Sequence, residues 1–286
     1  MEPTLPLDVL LHIIDLLAGD DRNSIRSLQI LSQTCKYMVP ICRKHLFSSL
    51  HLDSDSSLER FGDLLSMNPD IARYVRRLNY RVYNPIRVHE FNILELLKER
   101  SSLQSIELSS PRLAWNTLPE WIRSSLVSLI QLPTVTHLNI DSFRVFPALA
   151  LSSCINLIDL QLGEIYLDHS EVNQPEVISR SKIPTPVSLY IRPKTHGLVA
   201  LLNSASLHTV DPIVDFSRLQ KAYFEVESRG DVSQVYLLIM ATTRLEYISI
   251  TSEWTDVIAY PSKFLTVNTC SESARGVDRA GRKPRD

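Results

Sequence analysis

One short phrase recurs along this chain and limits what it can fold into: a large apolar residue, another three positions on, and a third two positions beyond that. It reads Val75-Leu78-Tyr80, Leu103-Ile106-Leu108, Val135-Leu138-Ile140, Leu157-Leu160-Leu162, a poorer Pro186-Leu189-Ile191, Leu219-Ala222-Phe224 and Leu245-Ile248-Ile250. The last two places differ by two residues, the period of a strand with one buried face. Most intervals hold a helical pattern as well. Residues 91–97 carry Ile93 and Leu94, Thr117 with Glu120 precedes Trp121, Leu126, Leu129 and Ile130, and residues 198–202 and 232–240 supply two more. Strands alternating with helices make this an α/β chain.

Ahead of the phrases lies a different stretch. Between Leu7 and Leu17 only Asp8, His12 and Asp15 are polar. A helix apolar nearly all round needs partners on more than one side. Thr4 is placed to cap it, with Pro6 in its first turn. At about a dozen residues it is shorter than the roughly 20 a membrane span needs, and it lacks the basic start of a secretion signal. Asp20 to Asn23 form a polar turn. A second helix follows with Ile25, Leu28, Leu31 and Cys35 on one face, then a third over residues 38–47 with Val39, Cys42 and Leu46.

The order LPxxVLxxIxxLL, polar turn, LxxLSQTCKYM, HLFSSLHL resembles the F-box, a three-helix module, over residues 5–52. It departs at Tyr37-Met38 and at Phe47, where a Trp is frequent in that family. The resemblance implies docking of the first helices on a Skp adaptor of a cullin–RING (SCF-type) ubiquitin ligase. The matching residues are Leu5, Pro6, Val9, Leu10, Ile13, Leu17 and Leu31, some of which would serve as internal core instead.

The phrases start 28, 32, 22, 29, 33 and 26 residues apart. Units of about 20 to 30 residues with one strand and one helix are the mark of leucine-rich repeats. Residues 53–261 thus resemble the irregular leucine-rich repeats that often follow an F-box in large fungal families. The position where such a repeat carries Asn or Cys holds Tyr83, Pro111, Phe143, Ile165, Lys194, Glu227 and Glu253, none of which fits. Four prolines and a polar insert in residues 167–193 predict a break in the stack. Ser56 with Glu59 predicts a capping box before a helix ending near Pro69. The expected fold is α/β: a three-helix F-box-like module (1–52), an irregular leucine-rich-repeat solenoid with a strand and a helix per unit (53–261), and a disordered tail (262–286). A general α/β domain with short buried strands stays open, because periodicity does not separate the two. Residues 270–286 hold one Val and no other large apolar residue, too little to offset the entropy of ordering. They cannot cap a solenoid, so the array is expected to be cut short there.

A net charge of −2 gives no pull toward nucleic acid or anionic membrane. The cluster Arg76, Arg77 and Arg81 reads as a solvated strand face. Cys35, Cys42, Cys154 and Cys270 have no paired spacing and read as reduced thiols of an intracellular protein, cytoplasmic or nuclear. Seven glycines leave no GxGxxG, GxxxxGK[ST] or GxSxG, and eight histidines no HExxH. Asp168-His169-Ser170-Glu171 sets catalytic residue types side by side, but such groups converge through a fold rather than by adjacency. No cofactor, metal or catalytic residue is expected.

If the second and third places of each phrase face inward, their neighbours face out. The outward set is polar except for Tyr190, Tyr223 and Tyr247, which fall at nearby heights; tyrosine is enriched where proteins grip partners. The F-box resemblance implies a non-enzymatic substrate-recognition adaptor of a ubiquitin ligase, with Skp and through it a cullin as partners and a target protein on the repeats. The alternative is a leucine-rich-repeat scaffold whose first helices only cap it, although a cap should show a polar outer side.

Overall fold

In the computed structural model each of the seven phrases runs into a strand. Residues 6–19, 22–34, 36–83, 88–111, 113–168, 183–198, 201, 213–252 and 265–269 are described by the structure. The strands are β2 (Arg77–Arg81), β3 (Ser105–Ser109), β4 (His137–Asp141), β6 (Asp159–Gly163), β8 (Ser188–Ile191), β9 (Lys221–Val226) and β10 (Tyr247–Ser252). With β1 (Ser49–Leu52) and β11 (Leu265–Thr269) at the edges they form one nine-stranded sheet in the order β1-β2-β3-β4-β6-β8-β9-β10-β11. Every pairing in it is parallel. A parallel sheet needs its apolar face covered, and the second and third phrase residues supply that face: Leu78, Tyr80, Ile106, Leu108, Leu138, Ile140, Leu160 and Leu162 are all buried.

What covers the sheet changes along the chain, and this overturns the expected solenoid. Helices α4 (Asp55–Met67), α5 (Val88–Arg100), α6 (Glu120–Ile130) and α7 (Arg229–Met240) follow β1, β2, β3 and β9. After β4 a short 3-10 turn, Ala148–Leu151, takes the place of a helix, and β5 (Phe146–Pro147) pairs with β7 (Leu167–Asp168) in a second small sheet. A solenoid repeats its whole unit. Among the described residues the strand recurs in every unit and the helix does not, and the protein is an α/β domain on one large parallel sheet. The phrase marks a strand buried on one side and says nothing of the layer behind it, which is why spacing alone suggested repeats. The buried core runs without interruption from Leu52 to Ile248.

Other expectations shift in register. The capping box of α4 is Ser54 with Ser57: the Ser57 amide donates to Ser54 Oγ (3.3 Å) and the Ser54 amide to Ser57 Oγ (3.1 Å). Thr117 sits in a 3-10 turn ahead of α6, its hydroxyl donating to the Ala114 carbonyl at 2.6 Å, so Pro119 stands at the cap. The sheet does not break across residues 167–193, because β6 pairs directly with β8; residues 169–182 lie outside the described set. Residues 265–269 form a strand where a tail was expected; three of its five residues, Thr266, Val267 and Thr269, are β-branched and suit a sheet edge. Residues 270–286 fall outside the described residues.

Three non-glycine residues among those described are left-handed, each just past a strand end. Ser142 (φ 61°), Glu164 (φ 44°) and Lys194 (φ 59°) turn the chain as it leaves β4, β6 and β8. Beyond them a second ladder runs through Ala114–Val145, Phe146–Leu167 and Tyr166–His196. Trp115, Phe143 and Phe146 fill the corner below, with ring centroids 4.9 to 5.9 Å apart and edges meeting faces.

The first helices stand on their own small core. Helices α1 (Leu7–Leu17), α2 (Arg22–Thr34) and α3 (Met38–Leu46) bury Ile14, Leu28, Met38 and Cys42 together, with Leu10, Leu17, Leu31, Ile41 and Leu46 packed around them. Asp15 reaches His45 across the module at 3.3 Å. Ile25, expected on the inner face of α2, points out.

Candidate functional site

Two surfaces stand out. The first is on α1. Pro6 occupies the capping position and its carbonyl accepts from the Leu10 amide at 3.1 Å, so the helix begins at Leu7; Thr4 lies outside the described residues. Positions 10, 14 and 17 share the inner side, since residues three and four apart line one face. The same spacing puts Val9, Ile13 and Leu16 together on another face, and these are 39 %, 37 % and 73 % exposed. Leu11 on α1, Ile25 and Ile30 on α2 and Tyr37 in the turn before α3 are exposed too. A three-helix module with this much aliphatic surface in water leaves about 25 cal/mol per Å² of it unclaimed.

The docking residues read from the sequence therefore divide. Pro6, Val9 and Ile13 are exposed, whereas Leu10, Leu17 and Leu31 pack on the inner core. Leu5 lies outside the described residues. Leu16, Ile30 and Tyr37 are exposed as well and were not in that set; the stripe 9, 13, 16 follows once 10, 14 and 17 are assigned to one helical face.

The second surface is the open face of the sheet. Its register sets His51, Asn79, Glu107, Asn139, Gln161, Tyr190, Tyr223 and Ser249 in one row across the strands. On the β2 to β6 side the polar groups bind one another: Asn79 Nδ2 donates to Glu107 Oε2 at 2.8 Å, and His137 Nε2 lies 2.7 Å from Asp159 Oδ2. Toward β10 the face turns aromatic. Tyr190 and Tyr223 lie 6.3 Å apart between centroids, and Tyr223 and Tyr247 5.3 Å, all tilted by 47°. The three tyrosines expected at nearby heights are thus one continuous platform.

Side chains from three strands fix its first ring. Tyr190 donates its hydroxyl to Glu225 Oε1. The Arg192 guanidinium stands 5.9 Å from the Tyr190 centroid and reaches Asp141 Oδ2 at 3.3 Å. It crosses β6 to do so, and Gly163 leaves the gap: a Cβ there would lie 2.4 Å from Asp141 Oδ1 and 2.9 Å from Arg192 Cδ. Burial, then the bond to Glu225 and that carboxylate's charge, hold the Tyr190 hydroxyl above its ordinary range, against the opposing pull of Arg192.

No family model matches the chain, and no curated protein or solved structure matches it. What the arrangement can do must be read from its own chemistry.

The two cysteines among the described residues, Cys42 and Cys154, are free and buried. Burial pushes the Cys154 thiol up to about 12, with its Sγ donating to the Ile130 carbonyl at 3.4 Å, and burial raises Cys42 as well. A nucleophilic cysteine needs the opposite shift. Cys35 and Cys270, like His169, Ser170 and Glu171, fall outside the described residues. Among the described residues no group of three or more His, Cys, Asp and Glu could hold a metal ion, and no helix is long and apolar enough to cross a membrane.

Proposed function

We propose that the chain is a substrate-recognition adaptor of an SCF-type cullin–RING ubiquitin ligase, with α1–α3 docking on a Skp adaptor and the open face of the sheet holding a target protein. The unpartnered stripe of Val9, Ile13 and Leu16 carries this reading. Solvent-exposed aliphatic side chains on a helix whose inner face already has a core are what a partner groove takes in helix-in-groove binding. The platform of Tyr190, Tyr223 and Tyr247 supports a second interface, since tyrosine gives large contact area at small entropic cost. In this reading the protein performs no chemistry. It raises the effective concentration of a target lysine near a charged ubiquitin carrier held elsewhere in the ligase, in the cytoplasm or nucleus.

The test is co-purification with a Skp adaptor. Ile13→Asp and Leu16→Asp change residues of the exposed stripe, and each should weaken capture of the adaptor while the chain stays folded; at Leu16, 73 % exposed, the thermal midpoint should change little. Equal capture of wild type and both variants would refute docking through this stripe. Failure of a folded wild type to bind would recast α1–α3 as a cap on the sheet's first edge.

A further inference from the structure

The corner where the chain leaves β4, β6 and β8 holds a cleft of about 550 Å³ that neither surface above uses. Its floor is Phe143 and Ile165, both buried, and one wall is the half-exposed ring of Tyr166. Arg144, Lys194 and His196 converge on it, with Glu164 the single carboxylate of the lining. Three separate turns deliver these groups, so no local sequence motif announces them.

We infer that this cleft binds an organic phosphate monoester whose apolar, ring-bearing part lies on Phe143, Ile165 and Tyr166. The carriers of the charged groups are fixed in place. The Arg144 amide donates to the Leu113 carbonyl at 3.0 Å, the His196 amide to the Ile165 carbonyl at 2.7 Å, and the His196 carbonyl accepts from the Leu167 amide at 2.9 Å. Lys194 and Glu164 are held in left-handed backbone, each at a cost of about 1–2 kcal/mol that their surroundings must offset. Strain of that kind gathers where a ligand is clamped.

The donors point to the ligand. Among the described residues the Arg144 guanidinium and the His196 ring make no hydrogen bond or ion pair. Lys194 has only a loose pair with Glu227, at 3.6 Å between two exposed groups. Glu164 is exposed and pairs with none of the three. A guanidinium offers a planar fork to two oxygens and an ammonium a point charge to a third. A phosphate monoester presents three oxygens and two charges to such a set, where a carboxylate presents two oxygens and one charge. The apolar floor would go unused by inorganic phosphate, so the ester part carries affinity of its own.

The experiment is calorimetric titration of the full chain at low salt with phenyl phosphate, inorganic phosphate and a short phosphotyrosine peptide. Phenyl phosphate should bind in the millimolar range or tighter, and better than inorganic phosphate. Arg144→Gln, at an exposed position, should weaken it by about tenfold or more with the thermal midpoint unchanged, the loss expected of one charge-assisted bond. Tyr166→Ala should erase the preference for phenyl phosphate over inorganic phosphate. A peptide that binds more tightly than phenyl phosphate makes a partner protein the source of the ester, and equal affinity makes it a small molecule; both support the site. Absence of saturable phenyl phosphate binding, or binding that Arg144→Gln leaves intact, overturns it.

Discussion

Gly163→Ala is a one-atom test of how the open face is held. The glycine is not in left-handed backbone, so alanine meets no conformational penalty there and should gain about 0.4–1 kcal/mol by restricting the unfolded chain. Against this, the new Cβ would lie 2.4 Å from Asp141 Oδ1 and 2.9 Å from Arg192 Cδ, closer than real side chains approach. Relieving the overlap costs about 1–3 kcal/mol by analogy with overpacked cores. Displacing Arg192 also loses its pair with Asp141, which at 41 % and 20 % side-chain exposure is worth no more than about 1 kcal/mol. At mid-range the steric loss of about 2 kcal/mol and about 0.5 for the pair exceed the entropic gain of about 0.7, and the net expectation is a destabilisation of about 2 kcal/mol. Urea unfolding should show a lower midpoint at an unchanged slope. In an Arg192→Ala background one of the two clashing groups is gone, so the same change should cost measurably less. The reasoning fails if Gly163→Ala is neutral or stabilising, or if its cost is the same with and without Arg192.

Two further expectations follow from burial. Ile14→Ala, at a fully buried position of the three-helix core, should cost about 2–5 kcal/mol in denaturant unfolding. Leu16→Ala, three-quarters exposed on the same helix, should stay within about 0.5 kcal/mol of wild type; similar losses at both would mean that Leu16 is covered in solution. Tyr80 gives a pH signature. It is fully buried and donates to Glu90 Oε2 at 2.5 Å, and burial together with the Glu90 charge raises its hydroxyl far above the ordinary range. A raised folded-state value contributes stability that is intact below the unfolded tyrosine's pKa of about 10 and is lost as pH rises beyond it. Stability should therefore fall above that pH, by less in Tyr80→Phe once its own baseline loss is subtracted. An equal slope in both proteins would remove Tyr80 from the account.

Strand positions were readable in advance because a strand with one buried face writes its burial into the sequence at a period of two. Leu78 and Tyr80, Ile106 and Leu108, Leu160 and Leu162 all face inward as their spacing required. The division of α1 was half readable. Its excess of aliphatic residues was plain, yet Leu10 and Leu17 went to the inner core while Val9 and Ile13 stayed outside. A run apolar nearly all round carries little contrast between faces, and the packing of α2 and α3 settles which side is inner. The Tyr190, Tyr223 and Tyr247 series was visible as heights along three strands, but contact between the rings depends on the register of neighbouring strands.

The sequence by itself determined much of the local structure: where the seven phrase-bearing strands lie, which residues they bury, and that the first fifty residues are mostly helices with more apolar surface than one core can use. Those properties rest on periodicity and on neighbours a few positions away. Tertiary structure alone decided the rest. It joined the strands into one parallel sheet instead of a repeating solenoid, seated Arg192 against Asp141 through the gap at Gly163, and brought Arg144 to one cleft with Lys194 and His196 from two separate turns. Each of these depends on residues tens of positions apart, whose meeting is set by strand register and by what covers the sheet, and neither leaves a mark at short range in the chain.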